Sequence, residues 1–297
     1  MVLPGILLVD KPAGLTSHDV VARTRRALGT RKVGHAGTLD PMATGLLVIG
    51  VEGATRLLTY IVGADKTYAA TIRLGATTTT DDADGDMVAQ AGPEAWASVT
   101  DERVAWGIDA LTGAISQVPS SVSAIKVDGR RAYDRVRAGE EVVLAARDVV
   151  VSRFDVTADR AVDGFRDLDV VVECSSGTYI RSLARDLGAA LGVGGHLTAL
   201  RRTRVGAFDV ADAVGIDALE GAPLLSPAAA AIRVLPSLEV SGDEARDLRH
   251  GKRLPGAAVR LESRQAAAID DEGVLVGVVE KRGADIKSAM NMPEVAR

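Results

Sequence analysis

The chain holds a single cysteine, Cys174, among 297 residues. One thiol excludes an internal disulfide framework and any zinc site built from several cysteines. Aromatic residues make up only 3% of the chain, so the core has to be built from Val, Leu, Ile and Ala. No apolar run approaches the roughly 18 residues of a membrane-spanning helix. The opening MVLPGILLVDKP has no basic n-region and reads as a buried strand rather than a signal peptide. A cytoplasmic protein is therefore expected. The histidines are His18, His35, His196 and His250, none of them at the spacing of a helical metal pair. No metal site is expected. Neither a Walker loop nor a Gly-x-Gly-x-x-Gly fingerprint occurs, which leaves nucleotide cofactors without support.

What is present is the composition of an ordinary globular protein, 47% hydrophobic and 25% charged. The formal net charge of −5 conceals an uneven distribution. Residues 1–35 carry six basic and two acidic groups, and residues 176–206 carry five basic and one acidic. Residues 81–110 carry one basic and eight acidic. If folding unites the two basic segments, they attract a polyanion locally despite the acidic whole.

Apolar runs and alternating patterns predict strands at 5–10, 45–51, 66–74, 141–157 and 166–174. Helices are expected from a Ser17 cap to Leu28, over 55–62, near 101–112 and near 130–138. Residues 178–191 read as an amphipathic helix with Leu183, Leu187 and Leu191 on one face. No βαβα rhythm appears, which predicts an α+β fold with a mixed, mainly antiparallel sheet. Prolines and an alanine run near 221–236 mark a boundary. Beyond it come a short helix over 243–250 and short strands near 257–261, 265–270 and 273–280. The expected domains are 1–232 and a small β-rich appendage, 233–297, too small to be stable unless docked.

Two clusters lead nowhere by themselves. Asp81, Asp82, Asp84 and Asp86 fail the calcium-loop spacing, because Met87 falls at the sixth position counted from Asp82 and Pro93 at the twelfth. A solvated acidic loop is the expectation there. Ser123 and Lys126 fit the Ser-x-x-Lys spacing of an acylating serine, without its companion motifs.

The segment Gly34-His35-Ala36-Gly37-Thr38-Leu39-Asp40-Pro41-Met42-Ala43-Thr44-Gly45 is different in kind. Glycines allow positive φ and close backbone approach. Proline after Asp40 holds that residue extended. The pattern places one carboxylate at the tip of a rigid loop. It resembles the signature Gly-His-x-Gly-x-Leu-Asp-Pro-x-Ala-Thr-Gly of the tRNA pseudouridine synthase B (TruB) family. Other stretches resemble the family's motifs in order: Asp10-Lys11-Pro12-x-Gly14-x-Thr16-Ser17, then Lys66-Thr67-Tyr68, Pro119-Ser120 to Lys126, Cys174-Ser-Ser-Gly-Thr-Tyr179-Ile-Arg181, and Leu200-Arg201-Arg202. Val122 departs from the pattern, standing where many relatives have an aromatic residue. The resemblance spans roughly residues 5–235.

The resemblance implies a pseudouridine synthase fold with a PUA-like RNA-binding domain at the C-terminus, carrying Arg246, Arg249, Lys252 and Arg253 near its start. It implies isomerisation of the T-loop uridine of tRNA, at position 55 in tRNA numbering, without a cofactor. Asp40 would be the nucleophile and Arg181 its ion-pair partner. Tyr68 would stack on the flipped base, and removal of the C5 proton is a second candidate role for its hydroxyl. Tyr179 would be a second base contact and Leu200 an apolar wall. His35 would serve in flipping, with Arg23 to Lys32 and Arg201–Arg202 on phosphate. A monomer acting without an obligatory protein partner is expected. The alternatives are a tRNA-binding chaperone, a synthase for another RNA and, last, an acyl hydrolase using Ser123.

Overall fold

Seven residues, Gly5–Lys11, form a strand because GILLVDK is an almost unbroken apolar run, and the strand is buried nearly throughout. It pairs antiparallel with Thr44–Val51 and parallel with Val214–Gly215. The computed structural model describes residues 2–120 and 144–293, with backbone alone at 126–127 and 130–131. Ser123, Val122 and most of the helix expected near 130–138 lie outside the described residues. The backbone of Lys126–Val127 and Arg130–Arg131 pairs antiparallel as two short strands.

The chain forms two compact units, Met1–Ala64 with Arg204–Arg297, and Asp65–Thr203. In the first, the helix Ser17–Leu28 begins one residue earlier than a Ser17 cap would allow. Thr16 is the N-cap, and Thr16 and Asp19 form a reciprocal capping box. Ser17 is thereby released from capping and turns inward. Gly29, at φ 64°, ends the helix in the left-handed conformation. The helix buries Val20 and Val21 in a cluster with Leu7, Val9, Leu47 and Ile49. Its Arg23, Arg25 and Arg26 remain exposed on the other side.

The C-terminal strands Ser237–Val240, Gln265–Asp270, Leu275–Arg282 and Asp285–Asn291 form a four-stranded sheet in that order. Alternation along Gln265–Asp270 divides that strand between two cores, and a register shift in its pairing with Leu275–Arg282 sends Val276 and Val278 to opposite sides. Ala266, Ala268 and Val276 pack with Leu238, Leu248 and Ile286. Ala267 and Val278 pack with Ile6, Leu46 and Phe208 of the same unit. These strands thus share one compact unit with residues 1–64. The strand expected near 257–261 is instead a 3-10 helix, Ala257–Arg260. Gly256, at φ 68°, turns the chain into it, and Val259 faces solvent rather than a core.

In the second unit, Lys66–Leu74, Phe165–Cys174, Arg147–Val162 and Gly113–Gln117 pair antiparallel in succession. Gly195–Val205, a strand the polar run LRRTR concealed, lies beside Lys66–Leu74. The amphipathic helix forms over Ile180–Leu191 and buries Leu183, Leu187 and Leu191. The helix Asp101–Ala110 approaches it at Gly107, where a Cβ would stand 2.7 Å from a Leu187 methyl. The sheets are mixed and mainly antiparallel, as the sequence predicts.

Candidate active site

Asp40 follows the strand Val33–Ala36, which pairs with Thr44–Val51 so that His35 stands opposite Ile49. Gly37 and Gly45, at φ 88° and 100°, supply left-handed turns on either side that L side chains rarely adopt. The loop between them is fastened at both neighbours of Asp40. The Ser17 hydroxyl accepts from Leu39 N–H at 2.9 Å and donates to the Leu39 carbonyl at 3.2 Å. The buried Lys11 ammonium donates to the carbonyls of Pro12, Leu15 and Pro41 at 3.0, 2.7 and 3.2 Å. Gly14 N–H reaches the same Pro41 carbonyl at 2.8 Å, and Ala43 N–H reaches the Asp40 carbonyl at 3.1 Å. The N-terminal motif is thus the buttress of the Asp40 loop. A buried cation and a buried hydroxyl hold the backbone, while the Asp40 side chain remains half-buried. His35 packs edge-to-face on His18, with ring centroids 5.6 Å apart. Beside them, Arg23, Arg25, Arg26, Arg31 and Lys32 are exposed, with Lys32 3.4 Å from Glu52.

Tyr68, Tyr179, Arg181 and Leu200 belong to the second unit. Tyr68 and Leu200 are buried on adjacent strands, where the Thr203 hydroxyl donates to the Thr67 carbonyl at 3.2 Å. Tyr179 is the N-cap of the helix Ile180–Leu191, and Arg181 stands in its first turn. The Arg181 guanidinium is buried. It donates to the Thr80 carbonyl at 2.9 Å and the Ser120 hydroxyl at 3.4 Å, and lies 3.4 Å from the Asp82 carboxylate. Asp82 in turn accepts from the Thr80 hydroxyl and, at 3.1 Å, from Asp84 N–H.

This corrects the expectation of a solvated acidic loop. Asp84 and Asp86 are exposed, but Asp82 is buried in contact with Arg181. Asp81 pairs with Arg185 at 3.4 Å and its carbonyl accepts from Leu197 N–H at 3.1 Å. Arg202 also departs from expectation. At 1% exposure its side chain is withdrawn from the surface, on the strand face that alternation gives it in common with Leu200. Burial, and after it the charge of Arg202, pushes the Lys66 ammonium down to about 8. Burial raises the Cys174 thiol to about 11. In the C-terminal sheet region, Arg246, Arg249, Lys252 and Arg253 each meet a carboxylate: Asp243, Asp270, Asp247 and Asp285.

Sequence reasoning missed the burial of Asp82, which was hidden among identical neighbours. Among the described residues, no group of three or more His, Cys, Asp or Glu is placed to hold a metal ion.

Residues 25–180 match the pattern of the TruB family pseudouridylate synthase N-terminal domain. The chain belongs to the TruB family. Residues 181–234 match the tRNA pseudouridylate synthase B C-terminal domain, and residues 235–293 the tRNA pseudouridine synthase II C-terminal domain. A relative called tRNA pseudouridine synthase B in Leifsonia xyli subsp. xyli is 59% identical, covering 99% of this chain and 98% of that one. Its namesake in Paenarthrobacter aurescens is 55% identical over 97% and 94%. Among solved structures, a chain of a Cbf5-Nop10-Gar1 complex superposes with TM-score 0.68 at 24% identity. That match covers 98% of this chain and 84% of that one, and is a likeness of fold. No helix among the described residues is long and apolar enough to cross a membrane.

Proposed function

We propose that this chain converts the T-loop uridine of tRNA, position 55, to pseudouridine, with Asp40 as the nucleophile. Its place among tRNA pseudouridine synthases over nearly the full length makes it an enzyme that isomerises uridine in tRNA. The observation that carries the assignment to Asp40 is its loop, pinned through Ser17 at Leu39 and through Lys11 at Pro41. A carboxylate fixed by its two backbone neighbours is pre-organised to meet charge that develops only in the transition state.

The reaction breaks the N1–C1′ bond, turns the base and joins C5 to C1′. The proton on C5 leaves and N1 gains one, so no electrons or energy are supplied and no cofactor is needed. Scission leaves positive charge at C1′, which a carboxylate stabilises or traps, as in glycoside hydrolysis. Arg181 pairs with that carboxylate and favours its ionised form. In this reading, Asp82 holds Arg181 oriented for that role.

The uridine is extruded from its stack first, at a cost of a few kcal/mol. His35 occupies the vacated space or clamps the extruded nucleotide. Tyr68 stacks on the uracil, Tyr179 makes a second contact and Leu200 is the apolar wall. The exposed Arg23, Arg25, Arg26 and Arg31 contact phosphate. Residues 1–232 form the catalytic domain and 233–297 a PUA-like domain for RNA. The enzyme works in the cytoplasm as a monomer on the T arm, without an obligatory protein partner.

An unmodified tRNA transcript tritiated at uracil C5 tests this with purified protein alone. Wild type releases tritium and converts one position. Asp40→Asn binds the transcript and releases none. Binding by wild type without release overturns the reading and leaves a tRNA-binding chaperone.

A further inference from the structure

Gln117 ends the strand Gly113–Gln117, and its side chain turns inward to 2% exposure. Its Oε1 accepts from Tyr179 N–H at 2.8 Å, and its Nε2 donates to the Tyr179 carbonyl at 3.0 Å. One amide thus engages both backbone groups of a single residue. That residue is the N-cap of the helix Ile180–Leu191, and no side-chain hydrogen bond caps the helix there. The three residues that follow Gln117 run on along the same helix start. The Val118 carbonyl accepts from Arg185 at 2.7 Å, and the Ser120 hydroxyl accepts from Arg181 at 3.4 Å.

We propose that Gln117 is a positioning residue for uridine isomerisation, setting the backbone of Tyr179 and through it the direction of the Tyr179 ring and the Arg181 guanidinium. The inference rests on the reading above, in which Tyr179 contacts the base and Arg181 serves Asp40. A buried amide suits the task because it presents one acceptor and one donor at fixed separation. Leucine presents neither. Glutamate as carboxylate keeps the acceptor but faces the Tyr179 carbonyl with a second acceptor. Protonated glutamic acid restores a donor.

The test is single-turnover tritium release from C5-labelled tRNA transcript by wild type, Gln117→Leu and Gln117→Glu, from about pH 5 to about pH 8, with transcript affinity measured alongside. Gln117→Leu is expected to lose about 100-fold in rate, the scale of a small misplacement of reacting groups, with affinity unchanged. Gln117→Glu is expected to recover relative to wild type as pH falls through its own carboxyl titration. A residue that only supports folding loses melting temperature in both variants and shows no such recovery. Gln117→Leu turning over at the wild-type rate, or a Gln117→Glu profile parallel to wild type, overturns the inference. If Gln117→Leu does not fold, the Gln117→Glu profile decides. Absence of release by wild type instead overturns the underlying reading, so the two failures are distinct.

Discussion

The carboxylate of Asp82 lies 3.4 Å from the guanidinium of Arg181, with both side chains 4% exposed. Two charges so far from water are tolerated when each is paired and further hydrogen-bonded, and both conditions are met here. Arg181 adds the Thr80 carbonyl and the Ser120 hydroxyl, and Asp82 adds the Thr80 hydroxyl and Asp84 N–H. The pair is a costly arrangement for stability alone, which is consistent with a guanidinium held for use.

Asp82→Asn removes the carboxylate charge that faces the buried Arg181 guanidinium. It is expected to cost about 3 kcal/mol of stability in urea denaturation and to lower single-turnover tritium release. Asp84→Asn, exposed two residues on, serves as control, with an expected change within about 0.5 kcal/mol. Equal behaviour of the two variants rules out a special role for the buried pair.

Ser17→Ala removes both bonds that fix Leu39. The backbone groups it leaves are buried, so a loss of about 1–3 kcal/mol in thermal or urea unfolding is expected. The rate of tritium release should fall by more than transcript affinity, because the Asp40 loop loses one of its two anchors. An unchanged rate shows that the Lys11 anchor at Pro41 suffices alone.

Cys174 is buried and its thiol is pushed up to about 11. The thiolate is the reactive form, so the native protein is expected to resist thiol reagents at neutral pH and to react fully once unfolded. Rapid labelling of the native state contradicts this placement.

Lys66 titrates at about 8 in the folded protein, against 10.5 for an ordinary lysine, mainly through burial and secondarily through Arg202. Between those values the unfolded chain holds a proton that the folded chain has lost. The contribution of Lys66 to stability therefore rises with pH across that window. Cys174 works the other way between 9 and about 11, since its folded form keeps the proton longer. The comparison is thus between Cys174→Ala and the Lys66→Met, Cys174→Ala double variant. The single variant is expected to gain stability relative to the double variant as pH rises above about 8, read by urea denaturation. Parallel pH profiles contradict it.

Binding of tRNA transcript is expected to weaken steeply with salt although the whole chain is acidic, because the exposed Arg23, Arg25, Arg26 and Arg31 form a local basic face. Each arginine replaced by alanine should reduce the slope of log affinity against log salt by about 1. A slope that none of the four changes places the phosphate contacts elsewhere.

Legible from the residues alone were the strands with apolar runs, the helices with one apolar stripe, and the glycine-flanked loop that carries Asp40. These are local matters. A strand of GILLVDK or a Gly-rich Asp-Pro loop reads the same in any surroundings, and the ordered motifs carried the family. Which polar side chains left water was settled by folding. Asp82 stood among three other aspartates of the same loop, and its burial follows from the distant Arg181 being brought against it. Arg202 reads as a phosphate ligand in a basic run, and only the folded chain shows it buried. Gln117 and Tyr179 are 62 residues apart, and no periodicity links them. Alternation along a strand says which residues share a face, but not what that face will meet. That depends on contacts between segments far apart in sequence, and these form only when the chain folds as a whole.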